Sequence, residues 1–100
     1  MSSHITFGGY RNRKRIARHA VEWFMEHRKL NRFNTFIHII DRRTWHEKAD
    51  GFCNSIDQLS RPRYFEIELD NRMNNEHYLI TLFHELRHVE QRLRGMHQQR

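Results

Sequence analysis

One hundred residues, 37% hydrophobic, 12% aromatic and 30% charged, describe one small folded domain, 1–100, rather than a disordered chain. The single cysteine, Cys53, excludes an internal disulfide and any multi-cysteine zinc finger. No apolar run approaches the ~20 residues of a membrane span, and the basic start MSSHITFGGYRNRKR lacks the apolar stretch of a secretory signal, so a cytoplasmic protein with no membrane partner is expected. The net charge of +6 leaves a nucleic-acid partner open beside the plainer reading of a soluble basic surface.

The first element is expected to be a helix over residues 11–30, RNRKRIARHAVEWFMEHRKL. In it Ile16, Ala20, Trp23, Phe24 and His27 recur at helical spacing among arginines and lysines. Residues 34–42, NTFIHIIDR, change period and are rich in β-branched and aromatic types, which predicts a strand. A second, short strand is expected in GFCNSID, residues 51–57. RYFEIELD, 63–70, alternates, with Phe65, Ile67 and Leu69 on one face and Tyr64, Glu66, Glu68 and Asp70 on the other. Asn74 or Asn75 is positioned to cap a last helix, EHYLITLFHELRHVEQRLR, with Leu79, Leu82, Phe83, Leu86, Val89 and Leu93 at core spacing and Gly95 as its stop. The expected fold is therefore α+β: an N-terminal helix, a three-stranded sheet and a C-terminal helix.

That last helix carries Phe83-His84-Glu85-Leu86-Arg87-His88. Histidines at i and i+4 bring two imidazoles close enough for one tetrahedral zinc ion. A glutamate beside the first histidine can act as general base on a metal-activated water. Random placement of this many histidines and glutamates spells the pattern with a chance of roughly 6%. The spelling alone therefore decides nothing, and its helical context matters: His84 and His88 fall roughly opposite the core stripe, where a cleft or a plain solvated face would equally place them.

The run TLFHELRHVEQRLRG, residues 81–95, resembles the active-site helix of the zincin metallopeptidases, and most closely minimal SprT-like domains such as those encoded by phages. The resemblance implies a small zincin-like domain that hydrolyses protein or peptide substrates. It also implies Zn2+ as cofactor, His84 and His88 as ligands, Glu85 as catalytic base and a supporting role for Gln91. The chain departs from the family at the third ligand. Position 94, where several branches carry a histidine, is Arg94, and the metzincin glycine is replaced by Gln91. His97, the only histidine after the motif, is the expected third ligand if the chain reverses at or before Gly95, because a continuous helix would carry it ~13 Å past His88. The alternatives are solvent, an acidic residue from elsewhere, a second subunit, or a catalytically weak chain. The family also binds extended substrate along a sheet edge beside this helix, which would bring YFEIELD or the segment before it to the cleft, where the Glu66, Glu68 and Asp70 face would favour basic peptides.

Arg11, Arg13, Lys14, Arg15 and Arg18 form the densest charge cluster, read either as a nucleic-acid contact or as a solvated helix face. Cys53 reads as a core residue and His38 as a structural histidine; His19, His27 and His46 have no evident partner. His77 shares the motif face about two turns from His84, too far for a shared metal, and Tyr64 and Tyr78 are both open as oxyanion donors. The runner-up function is a zincin-fold module without catalysis, binding nucleic acid or a protein through its basic surface.

Overall fold

The computed structural model describes residues 4–9, 13–42, 51–56 and 62–95. It is a small α+β domain: β1 (His4–Gly9), α1 (Lys14–His27), a short 3-10 turn (Asn31–Phe33), β2 (Phe36–Arg42), β3 (Gly51–Ser55), β4 (Tyr64–Asp70) and α2 (Asn75–Leu93). The sheet has four strands in the order β1-β2-β4-β3, with β1, β2 and β4 parallel and β3 antiparallel to β4 at one edge.

The expected three strands become four because HITFGG is a strand only in partnership. Six residues ending in two glycines carry little intrinsic β signal, and β1 exists by pairing in parallel with β2, Ile5 opposite Ile37 and Phe7 opposite Ile39. Gly9 ends it at φ +95°, where a Cβ would stand 2.0 Å from the Asp41 carbonyl oxygen, so no larger residue fits. The other three strands and α2 lie where their patterns predict, within two residues at each described end.

Both helices pack on one face of the sheet. Ile37 and Ile39 of β2 and Phe65, Ile67 and Leu69 of β4 meet Ala17, Val21, Phe24 and Met25 of α1 and Leu82, Leu86, Val89 and Leu93 of α2 in a single core. Each buried aliphatic side chain contributes roughly 1.5–3 kcal/mol. The core stripe of α1 is turned from the expected one. Ala20 and Phe24 are buried, but Trp23 is 55% exposed and stacks on an exposed His27 at 4.5 Å, while Ala17, Val21 and Met25 line the core instead. Apolar periodicity alone favours the large ring, whereas the helix–sheet gap is filled by smaller side chains that let the backbones approach.

Two polar devices fix the helix ends. At one, Asp41, 1% exposed at the end of β2, accepts hydrogen bonds from the Tyr78 hydroxyl (2.9 Å) and the Arg13 backbone N–H (2.9 Å). The Arg13 guanidinium lies over the Tyr78 ring and donates to the Met73 and Asn74 carbonyls, which ties the starts of α1 and α2 together. Burial raises the Asp41 carboxyl above its ordinary range, against the opposing pull of the Tyr78 and Arg13 hydrogen bonds and the Arg13 charge. At the other, Arg28 grips Glu90 with both Nε (3.1 Å) and Nη2 (3.0 Å), and Arg94 reaches Glu90 at 3.0 Å and the Arg28 carbonyl at 2.7 Å. Asn74 caps α2 as expected, accepting from the His77 N–H at 2.8 Å, and Gly95 follows its end at φ +74°. No helix among the described residues is long and apolar enough to cross a membrane.

Burial pushes the Glu90 carboxyl up, but the hydrogen bonds and charges of Arg28 and Arg94 outweigh it and leave its pKa lowered. Its stabilisation is therefore complete above the unfolded glutamate value of about 4.3 and is lost as pH falls through the lower folded value. Glu90→Gln should cost about 1–3 kcal/mol at pH 7, and thermal melts of the two proteins should converge as pH drops below about 4. A second prediction concerns Gly51, where an added Cβ would meet the Thr81 methyl and the Glu68 carbonyl oxygen, each at 3.0 Å. Gly51→Ala should prise β3 from α2 at a cost of about 1–3 kcal/mol, and Thr81→Ser in the same chain should recover part of the loss in denaturant midpoint.

Candidate metal centre

Helical geometry accounts for the site. The side of α2 that packs on the sheet runs through Tyr78, Leu82, Leu86, Val89 and Leu93, and Glu85 stands at the border of that side, 7% exposed. One position away, His84 projects into solvent with His88 one turn on. Their ring centroids are 5.0 Å apart with the planes at 86°. Two imidazoles sharing one tetrahedral zinc, with Zn–N of ~2.0–2.1 Å, require centroids about 5 Å apart. The pair therefore already stands at ligand spacing, with neither ring hydrogen-bonded to another described side chain.

Glu85 faces β3. Its negative charge is the second cause, after burial, that lifts the Cys53 thiol to about 12, with Arg92 acting in the opposite direction. Three groups thus converge where α2 crosses the edge strand: Glu85, Cys53, and Arg92 two turns further along α2. Burial also holds the Glu85 carboxyl above its ordinary range, while the charges of His88 and His84 pull it down. No described residue donates a hydrogen bond to this carboxylate, so its proton-accepting oxygens are not committed to structure.

The third ligand is not among the described residues, which contain no group of three His, Cys, Asp or Glu side chains able to hold a metal ion. His97 lies outside them. Arg94, the position that carries a histidine in several zincin branches, is tied to Glu90 and Arg28 at the seam with α1. With α2 helical to Leu93, a side chain there points toward α1, away from His84 and His88.

Several other expected candidates are placed elsewhere by the fold. Tyr78 is fully buried with its hydroxyl spent on Asp41, and Tyr64 stacks on Phe36 at 4.6 Å on the sheet face away from the helices, so neither is an oxyanion donor here. His38 shares that open face and bonds Thr6 Oγ1 at 2.7 Å, while Asp70, expected on it, is buried and paired with Arg72. In the basic cluster Arg13 is turned inward, Lys14, Arg15, Arg18 and His19 share an exposed groove, and Arg11 lies outside the described residues, as does His46. Sequence reasoning missed the pairing of Cys53 with Glu85, since only the register of β3 against β4 and the packing of β3 on α2 bring them together.

A thiol at about 12 is almost wholly protonated at pH 8. Alkylation of Cys53 by iodoacetamide at that pH should run at least about 100-fold slower than for an unperturbed thiol with pKa near 8.5, and recover that rate in denaturant. Cys53→Ser should leave metal content unchanged. Comparison with family models, with curated proteins and with solved structures gives no match to this chain.

Proposed function

We propose that the protein is a zinc-dependent metallopeptidase. The observation that carries this reading is the pairing of His84 and His88 at 5.0 Å on the exposed side of α2 with a buried Glu85 that no described residue engages. His84 and His88 would hold zinc through ring nitrogens, and the third donor lies outside the described residues, with His97 the sole downstream histidine. A bound zinc ion supplies water acidic enough to ionise near neutral pH and polarises a substrate carbonyl.

The chain's own residues account for the rest. Glu85 accepts a proton from the attacking water and delivers it to the departing amine. Its burial suits that task, because a carboxylate whose pKa is raised by desolvation is a stronger base toward the attacking water than an exposed one. The strand β3 runs beside this helix and, among the described strands, lies at the sheet edge with β4 as its neighbour, so its outer side would serve as the docking line for an extended substrate.

A second reading is favoured by one observation. Lys14, Arg15 and Arg18 line one groove of α1 with His19 and a single carboxylate, Glu22, a net basic lining that would take phosphate, and a two-histidine site holds zinc weakly. A non-catalytic module that binds nucleic acid would need only that face.

The deciding experiment measures zinc per chain and cleavage of a denatured protein for wild type, Glu85→Gln and His88→Ala. Peptidase chemistry predicts about one zinc in the first two, loss of zinc from the third, and a Glu85→Gln rate lower by at least ~100-fold. Wild type purified with zinc in the buffer yet free of it overturns the reading. Salt-dependent DNA binding lost in Lys14→Glu and Arg18→Glu would support the second reading.

A further inference from the structure

The strand beside the candidate metal centre has two sides with different chemistry. On β3, Gly51, Cys53 and Ser55 face α2, while Phe52, Asn54 and Ile56 face the open side of the sheet and are exposed. An extended peptide docked along the outer edge of β3 alternates in the same way. Half its side chains point to the α2 side of the sheet, the side on which Glu85 borders the core. The other half lie beside Phe52, Asn54 and Ile56.

What those outward side chains meet is set by the next strand in. Asn54 pairs with Glu66 of β4, and Phe52 with Glu68. Glu68 is already bound to Arg42 at 3.0 Å, whereas no described residue pairs with the half-buried Glu66 carboxylate. Among the described residues, Glu66 is thus the carboxylate of this face that no ion pair engages. Asn54 is short, so a docked residue opposite it lies two strand spacings, about 10 Å between Cα atoms, from Glu66 across low ground. A lysine or arginine side chain spans that gap; shorter or acidic ones do not use it. Toward Ile56, a groove of about 220 Å³ is walled by Ile56, Tyr64, Phe36 and His38, with Tyr64 and Phe36 stacked as its floor.

We infer that the site selects extended peptides with a lysine or arginine at the position facing Asn54, held by Glu66, and an apolar side chain two residues away in the groove beside Ile56. This rests on the peptidase reading only for the location of the cleft. The overall positive charge opposes it at long range, but with a Debye length of ~8 Å at physiological salt the contact with Glu66 outweighs charges spread over the far surface. Arg92 lies on the α2 side of β3, beside Cys53, and does not face this position.

The test uses the full chain carrying Glu85→Gln, so that binding is read without cleavage. Labelled peptides that differ only by Lys, Gln or Glu at the central position are titrated by fluorescence polarisation. Expected is a three- to tenfold preference for Lys over Gln, the range of a partly exposed charge pair. Adding Glu66→Gln should bring the ratio to about one, and Glu66→Lys should reverse it in favour of Glu. Indifference to the central charge, or a Lys preference that survives Glu66→Gln, overturns the inference. Replacing the apolar residue two positions away by Ser should weaken binding several-fold, and no change would remove the groove from the proposal. If wild type binds with this preference yet cleaves none of the peptides, the selectivity stands and the hydrolytic reading falls. Cleavage with no preference gives the converse.

Discussion

A buried carboxylate holds the architecture together. Asp41 ends β2 inside the protein, and the groups that satisfy it, the Tyr78 hydroxyl and the Arg13 N–H, begin the two helices. Leaving a buried charge without partners is costly, so β2, α1 and α2 are obliged to meet at this point. Arg13 extends the obligation by closing over the Tyr78 ring and taking up carbonyls of the β4–α2 connection. The rotation of α2 about its axis follows from this anchor. Once Tyr78 points at Asp41, Leu82, Leu86 and Val89 point at the sheet, and His84 and His88 are turned to solvent.

The same rotation places Glu85 at the boundary between the buried and the exposed side of α2. One step further inward it would be a buried charge facing aliphatic side chains, and one step outward an ordinary solvated carboxylate. At the border it is desolvated enough to bind a proton more tightly, yet close to two histidines whose charge moderates the shift. The Glu90 clamp with Arg28 and Arg94 keeps the far end of α2 from swinging, so both ends of the helix bearing the histidine pair are fixed to α1. Rigid support of this kind is what a two-imidazole site requires to hold its spacing.

How much of this is visible in residue order depends on the range of each interaction. The last helix is visible because its signals are local: apolar spacing, an asparagine cap and a terminal glycine all lie within the segment they govern. The alternating strand at Phe65, Ile67 and Leu69 is visible for the same reason. The first strand is invisible because His4–Gly9 has no local signal and is stabilised by its pairing with β2. The core side of α1 is misjudged because Trp23 is the strongest apolar residue by transfer energy, while the fold places it outside on His27.

The sequence by itself determined the α2 helix, its i and i+4 histidines and the glutamate between them, because one turn of helix is enough to define their relation. Only the tertiary structure decided that Glu85 is buried on the side of α2 toward Cys53, that Arg94 belongs to the helix seam, that both tyrosines lie away from the site, and that Glu66 stands next to Asn54 of the edge strand. Each of those depends on strand order and on the packing of α2 over β3, which join residues tens of positions apart. No pattern within a single segment encodes such a meeting.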